Sequence, residues 1–294
     1  MPRFEPLIGP LGVYKKHKGV WVLGIILFLA LTLRFCPLPD LTHGSLGFSE
    51  VRIMTDAALP LDQIHRSIPA EQAPLKYYLL HPLLYLGRDE FLLRFPALFF
   101  DLASMVLLYL LGRALFDRKT ALLACFFMAV SMWHIHYATS ARNYPLYAFS
   151  AILSTLCLYR AAEGGKIRDW IFYGLSLAFS FYSFYPSLFV LAAQLGWFFI
   201  YHGRQRAQVK RLALSLGLFV IATLPLILRL DRAFRYKADF GSGQPRFQGY
   251  EIFEMIRDHF GGMVPPYAPA WMVFAACVLC LFCIRKQRSK VIML

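Results

Sequence analysis

The chain has 294 residues, 58% of them hydrophobic and only 16% charged, with a mean hydropathy of +0.51 and a formal net charge of +14. Soluble domains run nearer about 45–50% apolar and about 25% charged, so an ordinary water-soluble fold is excluded. The positive charge invites a nucleic-acid reading, which its distribution along the chain removes.

The first apolar run, 19–35, follows Lys15, Lys16 and Lys18 and ends without a small-x-small cleavage site, so it reads as an uncleaved first span rather than a signal peptide. Further apolar runs predict helices over 94–116, 119–137, 143–162, 168–184, 187–202, 210–229 and 266–284. With about 20 apolar residues needed per crossing, that makes about eight transmembrane helices. Pro186 separates two of them, because proline disfavours helix at the residue before it. The fold class is therefore all-α and polytopic, one transmembrane domain over 1–294.

Two connections are long: outer loop 1 over 36–93 and outer loop 2 over 230–265. Loops of this length in a compact protein are usually functional. Within loop 1 the pattern predicts a helix over 49–59 and a second, aromatic and apolar, over 74–86, suited to lying in the membrane interface. Within loop 2, residues 250–259 are amphipathic and follow a Gly-rich stretch, which fits either a loop that orders over a ligand or a plain linker.

Charge sets the sidedness. The segments on the side of the N-terminus hold 18 of the 31 Lys and Arg and 4 of the 17 acids, a net of +14; the remaining 13 cations and 13 acids cancel. That is the positive-inside pattern. It accounts for the basic composition without nucleic acid and leaves only unspecific contact with anionic membrane lipid. Cys125, Cys157, Cys277, Cys280 and Cys283 lie inside apolar runs and Cys36 ends one, so the thiols read as small hydrophobes rather than metal ligands or a disulfide framework.

Polar residues at the outer ends of the spans are the candidates for chemistry, since ionisable groups there are costly to keep. They form four clusters: Ser49, Glu50 and Asp56; Gln72 to Tyr78 with Lys76; Arg94 with Asp101; and Trp133 to Tyr144, which holds His134, His136 and Arg142. Blander readings exist for each. Arg94 can snorkel, Asp101 is expected to pair with a neighbour such as Arg94, His134 and His136 suit interfacial packing better than metal ligation, and the Tyr and Trp residues match an aromatic belt.

The order of these clusters resembles the bacterial GT-C membrane glycosyltransferases of the protein-mannosyltransferase and aminoarabinose-transferase type (glycosyltransferase family 39 and its relatives). Ser45-Leu46-Gly47-Phe48-Ser49-Glu50 resembles that family's Asp-Glu motif. Gln72-Ala73-Pro74-Leu75-Lys76-Tyr77-Tyr78 resembles its His-Pro-Pro-Leu-Tyr-Tyr stretch, and Leu93-Arg94-Phe95-Pro96-Ala97 its Leu-Arg-x-Pro-Ser motif. The turn over Leu110-Leu111-Gly112-Arg113-Ala114-Leu115-Phe116 fits the one before the family's third span. His136 to Tyr144 resembles its Tyr-Ser-Gln-Glu-Ala-Arg-x-Tyr motif, and Tyr182-Ser183-Phe184-Tyr185 its Tyr-Thr-His-Tyr.

The resemblance implies a GT-C-like fold and inverting transfer of a sugar from a polyprenyl-phosphate donor to a lipid, glycan or protein acceptor on the outer face. Mapped onto these residues, Glu50 or Asp56 is the base, Arg142 holds the donor phosphate with help from Lys76, and Ser49, Gln72, Tyr78, Tyr144 and His136 contact substrate. It implies no certain cofactor; members sometimes use a divalent metal, and no metal ligand is assigned here. It also implies a bacterial inner-membrane location, with cytoplasmic termini and periplasmic or extracellular loops. Four positions depart from the pattern. Ser49 stands for the catalytic aspartate, Gln72 for a histidine, Thr139-Ser140 for Gln-Glu and Phe184 for a histidine. The matched stretch is roughly the shared N-terminal module of longer relatives. Two alternatives remain open: an inactive relative that binds lipid-linked sugar or a membrane-protein partner, and a transporter or flippase.

Overall fold

The computed structural model describes residues 13–35, 47–69, 72–87 and 89–239. Among them there are eleven helices and no strand: α1 (Val13–Phe35), α2 (Phe48–Ala57), α3 (Leu61–Ser67), α4 (Leu75–Leu83), α5 (Glu90–Leu115), α6 (Arg118–Val130), α7 (Met132–Ala138), α8 (Tyr144–Gly164), α9 (Ile167–Ser183), α10 (Ser187–His202) and α11 (Arg206–Asp239). Helices occupy seven of the expected spans. The eighth, 266–284, and the amphipathic 250–259 segment lie outside the described residues. By length and apolar composition α5 and the Arg206–Leu230 part of α11 are able to cross a membrane, and α6 with α7 makes a third if the bent pair counts as one span.

Local chemistry sets the helix ends. Asp89 caps α5 by accepting from the Leu92 N–H at 2.8 Å, and Asp117 caps α6 through the Thr120 N–H at 2.7 Å. Pro145 stands in the first turn of α8, where no intrahelical donor is needed, and Gly165 ends that helix at φ +63°. Pro186 precedes α10 as expected.

Two apolar cores lie between the long helices. One joins α1, α5 and α6 through Leu23, Ile26, Met105, Tyr109 and Cys125. The other joins α8, α9, α10 and α11 around Trp170, Tyr173, Phe198 and Leu226. α5 packs on α8 and links the two. Small residues set the closest approach: a Cβ on Gly174 of α9 would stand 2.7 Å from the Ser215 carbonyl oxygen of α11. Buried hydroxyls are paired across helices. Gln194 of α10 donates to Ser154 and Thr155 of α8 at 2.9 and 3.0 Å, and accepts from the Tyr173 hydroxyl at 3.0 Å.

Three sequence expectations change. Outer loop 1 holds an additional short helix, α3, and the predicted 74–86 helix shortens to α4. The span over 119–137 is not one rod, because it breaks at Ser131 and bends by 61°. Asp101 pairs with Arg34 at 2.6 Å and with His134 at 2.9 Å, whereas Arg94 pairs with Glu50 at 3.1 Å and Glu90 at 3.5 Å. Arg94 and Asp101 are seven residues apart on one helix, a rise of about 10.5 Å, so each meets its partners at a different depth.

Candidate functional site

Loop 1 folds into its own small core. Ile53, Ala57, Ile64, Ile68, Tyr77 and Leu80 are buried together with Leu93 of α5 and Ala141 of the α7–α8 corner. Polar ties fasten it. His81 of α4 shares a 2.8 Å hydrogen bond with the Ala57 carbonyl at the end of α2. Arg229 of α11 donates to the carbonyls of Ile68 and Pro69 at 2.6 and 3.2 Å. The Tyr77 hydroxyl donates to the Gln72 side-chain oxygen, and the Tyr185 hydroxyl donates to the Gln72 carbonyl at 3.3 Å.

Glu50 is the most heavily engaged acid of loop 1 among the described residues. Its Oε1 accepts from Arg94 Nε at 3.3 Å and from the Ala141 N–H at 2.8 Å. Its Oε2 accepts from Arg94 Nη2 at 3.1 Å and from the Gly47 N–H at 3.2 Å. Burial pushes this carboxyl up, but the bonds from Arg94, Ala141 and Gly47, with the Arg94 charge, together hold it below the usual carboxylate range. A carboxylate so satisfied joins α2, α5 and the α7–α8 corner.

Asp56, later on α2, is engaged differently. Its Oδ1 accepts from the Ser67 hydroxyl at 3.2 Å. Its Oδ2 is buried without a hydrogen-bond partner, and the nearest cation, Arg52, stands 3.9 Å away. Burial first, and the Asp56 charge second, push the neighbouring Tyr77 phenol up to about 12.

Lys76 and Arg142 line one cleft between α4, α5 and the α7–α8 corner. Asn143 adds a third polar group, and Leu79, Pro96, Ala97 and Phe100 give it an apolar wall. Its water-accessible room is about 30 Å³, enough for about two water molecules, so a larger ligand must lie in the mouth or move side chains. Burial first, and the Arg142 charge second, pull the Lys76 ammonium down to about 8, against an upward pull from Asp56. Lys76 Nζ also lies over the Tyr77 ring, 4.9 Å from its centroid. The Arg142 side chain is exposed and makes no hydrogen bond or ion pair among the described residues.

The remaining sequence candidates lie around this cleft or beside it. Ser49 is half-buried in the first turn of α2, and Tyr78 packs half-buried against the loop core. Tyr144 opens α8 in an aromatic group, 4.5 Å from Tyr137 and 5.7 Å from Trp133 between centroids. His136 is exposed and meets Tyr137 edge to face, 4.9 Å between ring centroids. Three replaced positions serve local structure. Gln72 takes the Tyr77 hydroxyl, while Thr139 and Ser140 return their hydroxyls to carbonyls in the last turn of α7. Phe184 packs 5.0 Å from Tyr147.

Among the described residues no group of three or more His, Cys, Asp and Glu side chains is arranged to hold a metal ion. Both Glu50 oxygens are already committed to Arg94, Ala141 and Gly47. His81, Arg229 and Arg34 had not stood out in the sequence. The signal was there for the two arginines: each is a cation at the end of an apolar run, and in the fold each is buried.

No curated protein matches the chain. The family model described as Dolichyl-phosphate-mannose-protein mannosyltransferase matches residues 71–228. The match takes in Lys76, Arg94 and Arg142 and begins after Glu50 and Asp56. It covers more than half of the sequence, including α4, α5, the α7–α8 corner and the start of α8, which give all but one of the residues lining the cleft, so the chain belongs to this family of glycosyltransferases.

Proposed function

We propose that the chain transfers a sugar from a polyprenyl-phosphate donor to an acceptor hydroxyl on the outer face of a bacterial inner membrane, with its termini cytoplasmic. The observation that carries this reading is the shared cleft of Lys76 and Arg142, two cations beside an apolar wall. Such a site suits a phosphate joined to an isoprenoid chain. Arg142, with no partner among the described residues, is free to meet the donor phosphate, and Lys76 adds charge from the other side.

The base is assigned to Asp56, which does not itself line the cleft and whose Oδ2 must become accessible to an acceptor. Its Oδ2 has an unused lone pair and lies in a region where its charge acts on Lys76 and Tyr77. In the reaction the acceptor oxygen bonds to the anomeric carbon from the face opposite the phosphate. The carbon–oxygen bond to phosphate breaks, its electron pair leaves with the phosphate, and the acceptor proton passes to Asp56. Proton removal during attack speeds the reaction by a factor of about 10²–10⁴, and fixed positive charge meets the charge growing on the phosphate. Glu50 serves by holding the Arg142 corner through the Ala141 N–H, while Tyr78, Tyr144, His136, Ser49 and Gln72 shape the surroundings.

A second reading is a relative that binds lipid-linked sugar, alone or with a membrane-protein partner, without turning it over. Ser49 at the acid position and the fully bonded Glu50 favour it. Sugar transfer from polyprenyl-phosphate mannose by the purified chain, compared with Asp56→Asn and Arg142→Ala, separates the two. Turnover lost in both variants supports the enzyme; binding without turnover in the unaltered chain supports the second reading.

A further inference from the structure

An ionic group in the spanning region takes no part in the scheme above. Arg34, in the last turn of α1, is 3% exposed, and Asp101 of α5 is fully buried. Arg34 Nε donates to Asp101 Oδ2 at 2.8 Å, and Nη2 lies 2.6 Å from the same oxygen. Asp101 Oδ1 meets His134 Nδ1 at 2.9 Å. Arg34 Nη1 donates to the carbonyls of Ala30 at 2.9 Å and Ala129 at 3.1 Å.

The Ala129 contact explains where the arginine sits. α6 stops at Val130, and the chain bends by 61° into α7. A helix that stops leaves its last carbonyls without amide partners, which is costly in an apolar setting. Arg34 fills one of these sites, Asp101 balances the charge, and the remaining Asp101 oxygen holds His134 in the first turn of α7. Stability alone is a weak reason to keep such a group, because a buried ion pair is often matched by apolar packing.

α7 has only seven residues. It runs directly into Ala141, held by Glu50, and Arg142, which lines the cleft. The corner is thus braced at both ends, by Glu50 beyond α7 and by the Arg34–Asp101–His134 group at its start.

We infer that Arg34, Asp101 and His134 are positioning residues that aim Arg142 by fixing the direction of α7. This rests on the reading of Arg142 as the phosphate contact. The test uses the full chain in lipid nanodiscs and measures binding of undecaprenyl phosphate, with undecaprenol as the control lacking phosphate. His134→Ala is expected to weaken undecaprenyl phosphate about tenfold and leave undecaprenol unchanged. His134→Asn, whose amide can donate to Asp101, is expected to recover most of the loss. Arg142→Ala is expected to weaken undecaprenyl phosphate at least as much, and adding His134→Ala to it should change nothing more. His134→Phe keeps ring volume without the donor and replaces His134→Ala if that variant does not accumulate.

Wild-type affinity in the His134 variants, or a loss that persists in full beside Arg142→Ala, overturns the inference and leaves the Arg142 reading standing. Unchanged phosphate binding in Arg142→Ala overturns that reading and the inference with it.

Discussion

Glu50 and Asp56 sit on one short helix but are proposed to matter differently, Glu50 for stability and Asp56 for turnover. In Glu50→Gln the amide keeps one acceptor oxygen, and its NH₂ turns toward two N–H donors, so two of the four hydrogen bonds are lost. Removing one partner of a buried pair costs about 3–5 kcal/mol. Arg94 retains Glu90 at 3.5 Å and is 18% exposed at its side chain, which relieves part of that, leaving about 2–3 kcal/mol. At about 2–4 °C per kcal/mol for chains of this order, Tm should fall by about 5–10 °C. Turnover should fall only about tenfold, because the amide oxygen can still take the Ala141 N–H.

In Asp56→Asn the Ser67 bond survives and Oδ2 has no bond to lose. Tm should stay within about 2 °C, within the range usual for mild substitutions, while turnover falls by about 10²–10⁴ as expected for a lost base. Thermal melting in detergent and transfer from polyprenyl-phosphate mannose, measured on the same preparations, give both numbers. An Asp56→Asn protein with wild-type turnover would refute the assignment. So would a Glu50→Gln protein that melts normally yet is inactive, which would move the base to Glu50.

Further outcomes follow from the same geometry. Lys76 is cationic below about 8 and neutral above it, so affinity for undecaprenyl phosphate should fall as pH rises through 8; Lys76→Arg, charged throughout, should remove that fall. The Glu50 carboxyl titrates below its ordinary value in the fold. Its bonds therefore stabilise fully above that ordinary value, about 4.3, and are lost as pH falls through the lowered folded value; Glu50→Gln should show a flatter acid limb in a pH–Tm series. Gly174→Val should force α9 from α11 at the Ser215 carbonyl and cost about 1–3 kcal/mol, read as a lower Tm. Gln194→Leu leaves the buried Tyr173 hydroxyl without its acceptor, while Ser154 and Thr155 keep the Ala151 carbonyl, and should cost about 1–3 kcal/mol by the same measurement.

Much of the helical layout was legible in the residues because membrane helices announce themselves. The run 187–202 carries no competing signal, 94–116 is apolar enough to read as a span despite Pro96 and Asp101, and Pro186 marks a break by its own chemistry. The break at Ser131 was not legible. No proline marks it, and what sustains it, Arg34 on the Ala129 carbonyl, comes from 95 residues away. α3 was missed because seven residues are too few for a clear period. Lys76 and Arg142 were found as a pair through motif order, and the fold sets both in one cleft. The difference between Glu50 and Asp56 could not be read from sequence, since it depends on which oxygens find donors in Arg94 and Ala141 after folding. His81 and Arg229 belong to the same class: each acts on a backbone carbonyl, and carbonyls carry no sequence label.

The most direct test is a transfer assay in proteoliposomes. Polyprenyl-phosphate mannose labelled in the sugar is supplied with hydroxyl acceptors of lipid, glycan and peptide type, and release of the polyprenyl phosphate is followed together with the labelled product. The account predicts inverted glycoside and free polyprenyl phosphate in equal amounts from the unaltered chain, and neither from Asp56→Asn or Arg142→Ala. Donor that binds and is never consumed with any acceptor, or turnover that survives in both variants, would contradict it.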